Sequence, residues 1–147
     1  MTDEVDMRMR LRNQRGNALI ETAITVPIVL LIAVAIFEFG RAYQTQQVLT
    51  NAAREGARQA ILEGITDAQV QTTVRNYLTG GGLTGVTPTI NRTVSLNPAG
   101  GCPCGTRVTI TYPFSFIVLQ PVAQLVVRSS TVGRAITMQA SAMMRNE

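Results

Sequence analysis

The run ALIETAITVPIVLLIAVAIFEF, Ala18–Phe39, decides the architecture: every residue in it is apolar, small or hydroxylated except Glu21 and Glu38. Its longest charge-free part, Thr22–Phe37, holds sixteen residues. At about 1.5 Å per residue such a helix reaches roughly 24 Å. A hydrocarbon core is about 30 Å thick, so a comfortable span starts near Ala18 and takes Glu21 into the bilayer, which sets a transmembrane segment at about 18–39. A carboxylate at the bilayer centre costs on the order of 3 kcal/mol, less near an edge, and something has to compensate for it. Pro27 sits inside the run. Proline removes a hydrogen bond that membrane helices re-satisfy by other means, so a kink or local melting is expected near Ala23–Pro27.

Outward from the run, charge sets topology. Arg8, Arg10, Arg12 and Arg15 precede it, against Asp3, Glu4 and Asp6, while Arg41 alone closely follows it. The positive-inside rule then puts the N-terminus in the cytoplasm and the remainder outside the inner membrane. Three processing fates follow: an uncut single-pass anchor, release by signal peptidase after Ala33-Val34-Ala35, or a cut ahead of the apolar run. Release is disfavoured because Ile36, Phe37 and Phe39 prolong the apolar pattern beyond the site. An uncut anchor leaves Glu21 unexplained. Glu38 and Arg41, three apart on one helix face, are read as a weak pair marking where lipid ends.

The composition narrows function. The chain has 147 residues, 46% of them hydrophobic, and a formal net charge of +4, which fits one domain with an attached segment. All 13 basic residues are Arg, dispersed after Arg15 with no dense cluster, so a nucleic-acid partner is not expected. With neither His nor Lys, and only scattered acids outside the membrane, no familiar nucleophile-and-base set assembles, so catalysis and a cofactor are not expected. Two cysteines without His make no tetrahedral zinc cage. Cys102 and Cys104, with only Pro103 between them, lie on the oxidising side of this topology. An intrachain disulfide is expected, with free thiols or a link between subunits as alternatives.

Beyond the membrane, EFGRAYQTQQVLTNAAREGARQAILEG continues one helix to about Leu62, so 17–62 reads as a single long element. Ala52, Gly56 and Ala60 recur every four residues, as do Ala53 and Ala57, making a face that admits another backbone closely. That face packs on the chain's own sheet, on another subunit, or on each along different turns. Thr66 with Gln69 has the form of a capping box and opens a second helix to about Leu78, with Val70, Val74, Tyr77 and Leu78 inward. The glycines of TGGGLTG, Thr79–Gly85, match a dinucleotide fingerprint, but a helix precedes and a strand follows, so the segment is a turn. Val86–Leu96 alternates as a strand, with Pro88 placing it at an edge or near its start. NPAGGCPCGT is a loop, RVTITYPFSFIV a strand, Pro121–Val127 a short helical turn, and Thr131–Met144 a final strand or two. Residues 63–147 thus form an extracytoplasmic α+β domain.

Gly16-Asn17-Ala18-Leu19-Ile20-Glu21, preceded by a short basic leader, resembles the processing site of type IV pilin precursors. The blocks GNALIETAITVPIVLLIAVAIFEFGR and NAAREGAR extend the resemblance to TadE-like proteins, the pseudopilins of tight-adherence (Flp, type IVc) pilus systems. The likeness is strong over residues 15 to about 60 and weaker through RVTITYPFSF and ITMQASAMMRNE. It implies a pilin-like α+β fold, with a long N-terminal helix packed on a small antiparallel sheet. It further implies a leader, 1–16, removed after Gly16 by a membrane-embedded prepilin peptidase, and hetero-oligomeric assembly with other pilins on an inner-membrane platform served by a cytoplasmic ATPase. Cleavage would free an ammonium on Asn17 that a neighbouring subunit offers to Glu21. The acid would then have a partner within the apolar bundle; protonation, or snorkelling to the interface, is the other account.

Overall fold

The computed structural model describes the backbone over 2–95, 104–126, 128–129 and 131–146, and side chains from residue 16 onward, except those of 123, 125 and 126. The elements in order are α1 (Thr2–Ala60), α2 (Asp67–Gly80), β1 (Thr89–Ser95), β2 (Cys104–Phe114), α3 (Leu119–Val126) and β3 (Ile136–Arg145). The fold is α+β. Packing divides the chain into two compact units, Met1–Glu38 and Phe39–Glu147, so the second half of α1 belongs with the sheet.

In the second unit three strands pair antiparallel in the order β1-β2-β3. Their period-two pattern chooses a face. Thr106, Val108, Ile110 and Phe114 turn inward along β2, while Arg107 and Thr111 face solvent. Over this face lie Leu49, Ala52, Ala53, Ala57 and Ala60 of α1, together with Val70, Val74 and Leu78 of α2. Fully burying a Val or Leu side chain contributes roughly 1.5–3 kcal/mol, so the α2 stripe alone is a substantial part of what fixes that helix. The small-residue face of α1 is thereby resolved on these turns: it packs on the chain's own sheet and α2, not on another subunit.

The sequence expectations hold at most helix ends and fail at two side chains. Thr66 caps α2 as a capping box, accepting from the Gln69 amide at 3.4 Å while its own amide donates to Gln69 Oε1 at 2.8 Å. Leu78 is buried, but Tyr77 is 43% exposed, because its hydroxyl is better served by water at the edge of the stripe. The glycine segment is a turn, with Gly82 and Gly85 at φ of 79° and 74°. Pro88, fully buried, immediately precedes the edge strand β1. Cys104 opens β2 rather than lying in a loop, and Cys102 lies outside the described residues.

Candidate membrane and assembly site

Along the first half of α1 the residues singled out by sequence are all helical and exposed: Gly16, Asn17, Glu21 and Pro27. Asn17 and Glu21 are four apart and share a face. Leu19, Ile20, Ile24, Ile28, Leu30 and Ile32 are all at least half exposed, a sleeve with no solvated face. Its best window has a mean hydropathy of 2.5 and is 0% buried, and the helix is long and apolar enough to cross a membrane. Thr22 Oγ1 donates to the Ala18 carbonyl at 2.8 Å, which satisfies a hydroxyl that lipid would leave unpaired. α1 runs unbroken through Pro27, so the local melting expected at Ala23–Pro27 is absent from this structure. Proline there removes only the donor to the Ala23 carbonyl, and the helix tolerates that loss.

At the junction, Glu38 is 0% exposed, and Arg41 is half-buried with its guanidinium 5.3 Å from the centre of the Phe114 ring. Phe114 in turn meets Phe116 edge-to-face at 5.2 Å. Arg41 docks the start of the second unit's helix onto the end of β2, a cation–π contact worth about 0.5–2 kcal/mol.

Arg92 is a residue that sequence reasoning missed. The β1–β2 register slips between Asn91 and Val94, so two residues oppose one, and the bulge turns Arg92 toward the end of α1. Its guanidinium donates to the Ala60 carbonyl at 2.6 Å, the Ile65 carbonyl at 2.9 Å and Asp67 Oδ1 at 2.6 Å. It therefore caps the C-terminus of α1, where orphan carbonyls and the helix dipole favour a cation. Asn146 closes the other side, donating to the Arg92 carbonyl at 3.3 Å and accepting from Thr106 Oγ1 at 2.7 Å. The glycosylation-like triplet Asn91-Arg92-Thr93 is this bulge, with Asn91 Oδ1 accepting from the Thr93 amide at 3.0 Å.

Replacing Arg92 by methionine keeps the stem and removes the donors. The partly exposed ion pair with Asp67 contributes little, so the cost lies in the two stranded carbonyls, about 2 kcal/mol. A urea titration of the full chain in detergent micelles should show that loss. By contrast, the exposed Glu55–Arg58 pair, 2.6 Å apart, should be removable with no measurable change, even though the Arg58 hydrogen bond holds the Glu55 carboxyl below its ordinary range. Equal losses at both sites would contradict the capping role.

Cys104 is disulfide-bonded, and the sequence holds one other cysteine, Cys102. Among the described residues no group of three or more His, Cys, Asp or Glu could hold a metal ion. What the geometry offers is an uncovered apolar helix beginning at Gly16 and continuous with the helix that supports a small sheet. Residues 16–58 match the family model described as TadE-like protein. Over that span, less than a third of its length, the chain is similar to TadE-like proteins. The match covers the exposed apolar sleeve and the small-residue face of α1 as far as Ala57, and it ends before α2 and the sheet. No curated protein and no solved structure matches. The likeness lies on the helix that is long and apolar enough to cross a membrane.

Proposed function

We propose that this chain is a TadE-like minor pseudopilin of a Tad pilus system, a structural subunit with no catalytic role. It is inserted with its N-terminus in the cytoplasm, cut after Gly16 by prepilin peptidase, and drawn from the inner membrane into the pilus at the cell surface. One observation carries the reading: Gly16, Asn17 and Glu21 stand exposed where the uncovered apolar part of α1 starts, which is also where the family match begins. Glycine is among the weakest helix formers, so the peptide bond after Gly16 unwinds for a protease more readily than its neighbours. Removing the apolar sleeve from lipid into a bundle of like helices satisfies it again, now with other pilins and pseudopilins as neighbours. The assembly platform and its ATPase supply the work of extraction.

The mature N-terminus, determined by mass spectrometry on protein from the native host, tests this. A start at Asn17 is expected. A start at Ile36 would mean release by signal peptidase, and an intact leader in a strain bearing the peptidase would mean a permanent anchor; either outcome ends the pseudopilin reading. Release is also at odds with packing, since a cut after Ala35 falls within α1 just ahead of the buried Glu38.

A further inference from the structure

The connection between β2 and β3 carries apolar side chains that the pseudopilin role leaves unused. Ile117 is 60% exposed, Val132 56% and Ile136 44%. They belong to one end of the second unit. Ile136 pairs in register with Phe114, whose ring lies under Arg41, and Phe116 stacks on Phe114 one residue before Ile117. Gly133, at φ 78°, has its Cβ position only 2.6 Å from the Gln120 amide nitrogen and 3.0 Å from the Leu119 carbonyl carbon. Only glycine fits there, and this close approach seats the 131–134 turn, which carries Val132, on the start of α3 two residues beyond Ile117. α3 itself, LQPVAQLV, carries Gln120 and Gln124 four residues apart on one side. Arg128 and Arg134, both exposed, follow it.

This end of the unit is also where α1 emerges from its apolar half. Arg41 is the third residue of the second unit, and Phe39, the first, is covalently continuous with the sleeve. The far end of the same helix, at Ala60, is about 30 Å away. Exposed apolar residues flanked by arginines, next to a membrane entry point, are the composition of a segment that lies in a headgroup layer. We propose that the β2–β3 connection rests in the surface of an anionic bilayer before extraction, with Ile117 and Val132 in the acyl boundary and Arg128 and Arg134 on lipid phosphates. The unit is thereby held against the membrane until the helix is withdrawn. The inference rests on membrane insertion of α1, and not on peptidase processing.

The test uses the full chain with its disulfide oxidised. Ile28, Leu62, Ile117 and Val132 are replaced in turn by cysteine, labelled with a polarity-sensitive fluorophore, and reconstituted at low density into vesicles of phosphatidylglycerol and phosphatidylcholine containing nitroxide lipid. Labels at Ile117 and Val132 should be blue-shifted and quenched, as at Ile28, while Leu62, equally exposed but at the far end, should not. The R128Q and R134Q substitutions should each lower the ratio of lipid-seated to free connection about fivefold at low salt. Quenching at Ile28 without quenching at Ile117 and Val132 overturns this inference alone. Quenching at these two sites that vanishes on dilution of the chain in the vesicles overturns it in favour of a contact between copies. No quenching at Ile28 overturns the membrane placement of α1, and the inference with it.

Discussion

A Gly56→Leu chain should insert normally but lose the packing of its second unit. A Cβ at Gly56 would stand 2.5 Å from Val74 Cγ2 and 3.2 Å from Val108 Cγ1, inside van der Waals contact with two different elements. Both neighbours are β-branched, fully buried core residues, so neither has a spare rotamer to retreat into. Leucine adds three carbons beyond that Cβ in a place flanked by Ala52, Ala53, Ala57 and Ala60, none more than 1% exposed. Overpacking of this kind costs about 3 kcal/mol, a large share of the roughly 5–15 kcal/mol that holds a domain together. Alanine at the same position should be far milder, because its helix propensity exceeds that of glycine by about 1 kcal/mol and offsets part of the clash. Urea titration in detergent micelles, followed by circular dichroism, should show the midpoint falling steeply for leucine and partly recovering when Val74→Ala is added. A leucine variant with an unchanged midpoint would mean that this face is free for another chain, contrary to its burial here.

The same positions show what the sequence could disclose. Hydropathy alone located the sleeve, since an apolar stretch of that length is what crossing a bilayer requires. The capping box of α2 was legible because its partners are three residues apart. The destination of the small face was not, because alanines at four-residue spacing suit a sheet and a neighbouring helix equally well; only the placement of Val74 and Val108 decides between them. Arg92 was hidden for a related reason. Its acceptors lie 25 to 32 residues away, and a single slipped register, invisible in a Thr-rich strand, aims its side chain at them. The spacing of Glu38 and Arg41 could not disclose the ring that Arg41 covers, because Phe114 falls far along the chain.

Glu21→Gln should spare both insertion and folding yet cut incorporation into pili about a hundredfold. Glutamine has the shape of the acid in its protonated form, so the substitution isolates charge. If Glu21 enters the bundle neutral, or snorkels clear of it, glutamine substitutes for it without loss. If the carboxylate answers the ammonium on Asn17 of a neighbouring subunit, glutamine strands that ammonium in an apolar bundle. Breaking a buried pair by removing one partner costs about 3 kcal/mol or more, which is about a hundredfold in an association equilibrium. The comparison to make is the ratio of this chain in sheared pili to that in the membrane fraction, by immunoblot, for wild type, Glu21→Gln and Glu21→Asp. Aspartate keeps the charge on a shorter arm and should recover part of the loss, an order that hydrophobicity cannot produce, since glutamine is the cheaper of the two to hold in lipid. Equal incorporation of the glutamine variant would remove the amine partnership, leaving the acid with only the favourable field at the start of a helix.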